Sequence, residues 1–401
     1  MMKKLIFILF FCTLRLLIAK VSVAQENTDT SQFQLINGIK LKLDSSVALN
    51  IHFRIQSRFG YSTQSMQSIS PGSFDLGVRR ARLFFDGHIY SKKWTYFLQL
   101  NFAKRDMDED NTGTLHILRD AMLWYEAWKG MKIGLGQGKL PGNRQRIISS
   151  GMLEFVDRSI VNDAYNLDRD AGLFAYQSLM IGKICMNIKA SLSTGEGRNV
   201  SISDKGLAST GRIEIFPLGK FTGNNDMMES DLVVEKQPKL CIAAVAHYND
   251  FSKKSRGQTG QTLPTARYLH AYMGDLIFKY QGFAMSTEYI YRGVNNPFMD
   301  FNKQGFFIAG DGFNSQMSYC FENNTNIAFR YAQTKPNMLL TALIPHQKQY
   351  GMCLSKFVSN HQLKVQAEIQ FIEESFRKNG KLINQYIKQY MAGFLQIELG
   401  I

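Results

Sequence analysis

Outside its first segment, the chain has no apolar run approaching the roughly 18 residues that a membrane-spanning helix needs. That excludes a helical membrane protein. Cysteine is scarce: Cys12 lies near the start, and Cys185, Cys241, Cys320 and Cys353 are far apart, with no CxxC and no Cys/His ligand spacing. A disulfide framework, a zinc site and any other metal site find no support, and these four read as packing residues. The seven histidines are scattered, and there is no Gly-x-Ser-x-Gly, no His-Glu-x-x-His and no phosphate-cradling glycine loop. The pattern therefore implies no enzyme and no cofactor. No Pro/Gly/Ser-rich linker divides the 401 residues, so they read as one domain.

What is present is a rhythm. Apolar and polar residues alternate in runs near 47–61, 76–90, 94–104, 117–127, 131–138, 171–178, 182–194, 207–216, 239–249, 267–280, 283–293, 304–321, 325–335, 347–357, 361–373 and 385–400. The connections alternate too: 91–93 is short, 105–116 long, 128–130 short, 139–170 longer still. A membrane crossed by strands gives this signature, because each backbone group must be satisfied inside a closed sheet whose side chains alternate between lipid and lumen. Val47, Leu49, Ile51, Phe53 and Ile55 alternate with Ala48, Asn50, His52 and Arg54; Ala81, Leu83 and Phe85 alternate with Arg80, Arg82 and Asp86. The fold class is all-β, a transmembrane antiparallel β-barrel of sixteen strands with an inward-folded third loop. A soluble sandwich would have shorter strands and no reason to sort its loops by length.

Met1–Ala24 carries Lys3 and Lys4, an apolar stretch Leu5–Leu14 and a small-residue site Ser22-Val23-Ala24, the pattern of a secretory signal peptide (1–24). Cys12 falls within it and no lipid anchor is expected. Residues 25–45 read as a periplasmic lead-in and 46–401 as the barrel, with 139–170 as the constriction loop.

The formal net charge is +14 and the pI near 9.4. In a soluble protein this balance suggests nucleic acid, but no recognition module accompanies it, so no nucleic-acid partner is expected. In a barrel the excess must face the lumen, since a lipid-facing Arg or Lys costs about 2–4 kcal/mol at the membrane midplane. The early strands carry Arg54, Arg58, Arg79, Arg80, Arg82 and Arg119, read either as a basic ladder or as a wall of inward salt bridges with Asp75, Asp86 and Asp120. Arg54 and Arg58 share one parity in the first strand, and Arg80 and Arg82 share one in the second. These four, with Arg144 and Arg146 of the third loop, are the candidate anion-attracting residues, because planar guanidinium donors match phosphate and carboxylate oxygens. Asp157, Arg158, Asp168, Arg169 and Asp170 are read as holding the loop, pinned further by Ile147, Ile148, Met152, Leu153, Phe155 and Val156. Phe84 and Phe97 take lumen parity, so either they pack under the loop or the register slips there. Trp94, Trp124 and Trp128 are expected as anchors at the membrane interfaces. The connection Pro217–Lys239 breaks the rhythm: it should be short, yet it carries Asp226, Glu229, Asp231 and Glu235. It reads as an extra hairpin near Asp231–Glu235, an acidic docking surface for a periplasmic partner, or an ordinary insertion.

The stretches GVRRARLFFDGHIY (Gly77–Tyr90), WTYFLQLN (Trp94–Asn101), LRDAMLWYEAWKGMKIGLGQGKLP from Leu118 and NRQRIISSGMLEFVDRSIVNDAYNLDRDAG from Asn143 resemble the phosphate-selective porin family (porins O and P). The chain departs from the usual pattern at Gly142, where a bulky aromatic commonly follows Lys-Leu-Pro. The resemblance implies an outer-membrane porin of a Gram-negative bacterium, general or anion-selective, commonly a homotrimer. The reading is passive diffusion of small anionic solutes, phosphate among them, with outer-membrane lipid and polysaccharide as surroundings. The rival is a non-conducting structural or adhesive barrel whose third loop seals the lumen with its own salt bridges.

Overall fold

The computed structural model describes residues 38–42, 46–68, 70–109, 115–200, 206–298, 305–378 and 381–401. The expected signal peptide and the lead-in as far as residue 37 lie outside these residues. Sixteen long strands follow one another: β1 (Ala48–Thr63), β2 (Pro71–Ile89), β3 (Ser91–Asn101), β4 (Leu118–Trp128), β5 (Met131–Lys139), β6 (Arg169–Ile181), β7 (Ile184–Ser193), β8 (Ala208–Phe216), β9 (Lys239–Lys254), β10 (Thr262–Tyr280), β11 (Phe283–Val294), β12 (Gly310–Cys320), β13 (Thr325–Pro336), β14 (His346–Ser359), β15 (Leu363–Lys378) and β16 (Lys381–Gly400). Each pairs antiparallel with the next, and β16 returns to β1 with Ala392 opposite Ser62 and Gly400 opposite Arg54. The sheet is thereby a closed sixteen-stranded barrel with no free edge, the condition for strands to cross lipid. A short strand Ile39–Lys42 pairs with residues 48–51 of β1, beyond the reach of β16. The largest departure from the alternation is at β12, which starts at Gly310 rather than near 304.

Side chains sort by parity. Leu76, Leu135, Phe329 and Ile369 are each more than half exposed on the outer face. Their neighbours of opposite parity, such as Arg330 and Glu368, are buried on the other. Short turns close one end of the barrel. Gln281 and Gly282 both have positive φ (49° and 86°), the twist that joins two antiparallel strands in two residues. A Cβ on Gly282 would lie 2.5 Å from the carbonyl oxygen of Cys320, so only glycine fits there.

The apolar core lies on the buried face of the sheet. Leu140, Val161, Tyr165 and Leu167 of the long 140–168 connection pack with Met122, Phe174, Val245, Ala271, Met273, Ile290 and Ala332 of the wall. Ile148, Leu153, Phe155 and Val156 are also fully buried, each contributing about 1.5–3 kcal/mol relative to an exposed side chain. Cys185, Cys241, Cys320 and Cys353 are free and buried, as packing residues.

Two expectations need correction. Trp94 and Trp128 are exposed, but Trp124 shares parity with Asp120 and Met122 and packs instead on Phe174 and Tyr176 of β6, at 6.0 and 4.9 Å between ring centres. Pro217–Lys239 holds no hairpin. It forms a short 3-10 turn at Thr222–Met227 and buries Glu229, Asp231 and Glu235, which removes them from any docking surface.

Candidate functional site

Two connections and the buried face of the sheet build the site. The 140–168 connection is drawn closed by the Leu140 N–H donating to the Asp168 carbonyl (2.9 Å). It contains two short helices, α1 (Arg144–Ile147) and α2 (Ile160–Tyr165); the Ser159 hydroxyl caps α2 by accepting from the Asn162 N–H at 3.2 Å. Non-repetitive backbone leaves N–H and C=O groups without mutual partners, and burial makes their satisfaction obligatory. The wall supplies it with charged side chains. Glu288 accepts from the Gln145 N–H (3.2 Å), and Glu368 accepts from the Val156 N–H (2.7 Å). Arg292 donates to the Asn166 carbonyl (2.6 Å), Arg212 to that of Gly142 (2.9 Å) and Arg330 to that of Asp157 (3.0 Å). Lys364 reaches the carbonyls of Gly151 and Leu153, both at 3.0 Å. A Cβ on Gly142 would approach that of Leu167 to 2.7 Å, which explains why no bulky residue stands there.

The arginines divide into two groups. Arg144 is completely buried: its Nε donates to Asp275 at 2.8 Å, and Glu214 lies 3.8 Å away. It is locked into the β8–β10 wall. Arg146, Arg58 and Arg80 line a cavity of about 860 Å³ at the long-loop end, with Arg79, Arg105, Arg119, Arg158, Arg198 and Arg256. Nine arginines there face four aspartates, Asp106, Asp157, Asp163 and Asp168. Asp157 is the hub: Arg58 bonds it closely, Arg80 at 2.6 Å and Arg79 at 3.2 Å. Burial pushes its carboxyl up, but Arg80, Arg79 and Arg58 outweigh this and hold it well below the usual carboxylate range. Asp168 does the same for Arg146 (2.8 Å) and Arg169 (3.1 Å), and burial is again outweighed, by Arg146, Arg198 and Arg169. Arg158 donates to the carbonyls of Gln145 (2.6 Å) and Ile148 (2.8 Å). Burial, then Arg146, Arg80 and Arg82, push its pKa down, so this cluster carries a crowding of positive charge that an entering anion would relieve. Arg169 binds Asp120 at 2.8 Å. Asp170 accepts from Thr194 (2.7 Å) and the Gly195 N–H (2.6 Å) and ties the start of β6 to the next loop.

Arg54 and Arg82 stand directly opposite each other on β1 and β2, a like-charge pair that would destabilise the ladder alone. Glu398 offsets Arg54 at 3.1 Å and Asp106 binds Arg82 closely. Both also hold the loop: Arg54 donates to the Ser149 hydroxyl (3.0 Å), and Arg82 to that of Ser150 (2.7 Å). Toward the turn end from this seam lie two other cavities, of about 290 and 630 Å³. They share Phe84, Phe97 and Ser149 with each other, and no described residue with the arginine cavity. Phe84 and Phe97 pack on each other at 6.3 Å between ring centres, with Arg54 over the Phe84 ring at 5.5 Å.

Alternation alone does not anticipate Arg79. A bulge on β2, where Gln56 faces Arg80 but Ser57 faces Val78, leaves Arg79 unpaired and turns it to the same cavity as Arg80. A second bulge on β4 lets the consecutive residues Arg119 and Asp120 both be buried. Consecutive charges inside a strand, where lipid forbids one of the two, are the sequence signal of such a bulge.

With this geometry in view, the comparisons are direct. The model of the phosphate-selective porin O and P family matches residues 49–353. The chain belongs to that family. Porins are passive channels, and the closed barrel is the architecture such a channel requires. Among solved structures, the anion-selective porin from Comamonas acidovorans is similar at 8% identity and TM-score 0.54, covering 88% of this chain and 100% of its own. The outer membrane channel DcaP of Acinetobacter baumannii is similar at 11% identity and TM-score 0.54, covering 90% and 99%. OmpT of Vibrio cholerae, in a trimer form, is similar at 11% identity and TM-score 0.51, covering 89% and 100%. These likenesses speak for the fold. A search of curated protein sequences finds no match.

Proposed function

We propose that this porin conducts small anions passively across the outer membrane of a Gram-negative bacterium. The 140–168 connection is folded into the lumen as the constriction, and phosphate is among the solutes. The observation that carries the reading is the arginine cavity, with nine guanidinium groups against four carboxylates. An excess of cationic groups inside low-dielectric walls raises the local concentration of anions, and conduction follows when each contact is weak enough to release. The candidate set is Arg58, Arg79, Arg80, Arg146 and Arg158, with Arg54 and Arg82 at the seam. Assembly as a homotrimer, as in the OmpT trimer form, and export by the Met1–Ala24 segment belong to the same proposal.

A second reading is favoured by one observation. Arg54 and Arg82 tie Ser149 and Ser150 of the 140–168 connection to the wall, and a loop tied in this way would close the lumen of a non-conducting structural barrel. Single-channel recording of the refolded protein across a KCl gradient separates the two. Open steps with a chloride-directed reversal potential, blocked by added phosphate, are expected of the porin. Folded barrels without steps would leave the structural barrel.

A further inference from the structure

The Pro217–Pro238 connection is not needed to join its strands. β8 and β9 pair directly from Ala208–Asn249 to Ile215–Ile242, and a tight turn could close them as Gln281–Gly282 closes β10 and β11. The segment nevertheless builds its own buried polar framework. Asp231 accepts from the Asn225 side-chain amide (2.7 Å) and from the Gly282 N–H (2.8 Å). Glu235 accepts from the Thr222 N–H (2.8 Å) and hydroxyl (2.9 Å).

Two contacts give this framework a direction. Lys279 of β10, fully buried, donates its ammonium to the carbonyls of Asn225 (2.7 Å), Met228 (3.0 Å) and Ser230 (2.6 Å) and to Asn225 Oδ1 (2.8 Å). A buried ammonium must be satisfied by oxygen, so the wall and the segment are fastened together. At the other side, Glu229 meets the 140–168 loop three times. Its N–H donates to the Met152 carbonyl (3.0 Å), and its carboxylate accepts from the Glu154 N–H (2.8 Å) and the Gln145 side chain (3.2 Å). Glu154 lies three residues before Asp157, the hub of the arginine cavity. Thus a connection that starts at the turn end touches the loop that starts at the opposite end.

We infer that Pro217–Pro238 is a strut that positions the arginine-bearing loop from the turn end, with Lys279 and Glu229 as its positioning residues. This rests on the porin reading for its electrical consequences. Three variants test it: Lys279→Met, Glu229→Ala, and a chain in which residues 218–237 are replaced by a short turn. Each should still fold to a heat-modifiable barrel on electrophoresis. Single-channel conductance should rise roughly twofold or more, and the reversal potential should fall toward zero as the loop loosens. Lys279→Met combined with Glu229→Ala should do no more than Lys279→Met alone, because both act through one strut. Trypsin gives a readout independent of conductance: Arg146 and Arg158 should be protected in the parent and cleaved in the variants. Folded variants with parental conductance, reversal potential and protection would overturn the strut. If the parent is silent, the porin reading fails on its own. Loss of protection in the variants would then still support the strut, and unchanged protection would overturn it.

Discussion

On the β8–β10 wall, Arg144 and Arg212 share Glu214 and Asp275, all four buried, and Lys189 joins Glu214 at 2.8 Å as a third cation. Around the cavity at the long-loop end, nine arginines and four aspartates form the lining, Asp75 beyond it pairs with Arg58 and Arg105, and Asp157 is divided among three guanidinium groups. The residue type is the same and the outcome differs. Where carboxylates nearly match the cations in number and the whole cluster is buried, ion pairs hold each guanidinium to the wall and it becomes a fastener. Where carboxylates run short and water enters, unspent donors and uncompensated field remain for a solute. The local count of acids within reach, more than the presence of arginine, separates structure from function here.

The largest test of this contrast is Arg144→Met, which leaves Asp275 buried with Arg212 as its remaining partner. Breaking such a pair costs about 3–5 kcal/mol, read as a loss of barrel stability in urea unfolding from lipid or detergent. Next comes Arg79→Gln at the bulge. Removing one charge about 4 Å from the solute path changes its potential by about 1 kcal/mol in water, so chloride permeability should drop about fivefold while the unfolding midpoint stays put. A stability loss as large as that of Arg144→Met would dissolve the distinction. The smallest effect belongs to Arg256→Ala at the cavity rim, whose partner Asp163 is 78% exposed at 3.2 Å. It should cost less than about 1 kcal/mol and lower conductance only in dilute salt, vanishing near 1 M where screening reaches about 3 Å.

The strands were legible because lipid and lumen impose a period of two on every crossing, and Arg54, Arg80 and Arg82 fall inside as that period requires. The pinning of the third loop by Ile148, Leu153, Phe155 and Val156 was legible for the same reason, since apolar residues in a long polar connection need somewhere to go. What the sequence hides is distance. Arg144 and Asp275 are 131 residues apart, and Glu229 and Glu154 are 75 apart. No local pattern marks which acid neutralises which base. Arg79 and Arg119 stand out as basic residues of the early strands, but bulges, which shift one residue against the alternation, hide that both are turned inward, and Trp124 was obscured by assuming that a tryptophan near a strand end belongs to the interface.

The seam at Ser149 and Ser150 has one more consequence. On its long-loop side lies a cavity lined by nine arginines, and on its turn side one where Phe53, Phe84, Met152, Met228 and Leu232 outnumber the single guanidinium of Arg54. On the proposed porin reading, a passage with most of its cationic charge toward one end would behave as a diode. Anions gather before the narrows when driven from the long-loop mouth and arrive unassisted from the turn mouth, so reversing the voltage reverses the supply as well as the current. The barrel's asymmetry would therefore be written into the sign of its rectification.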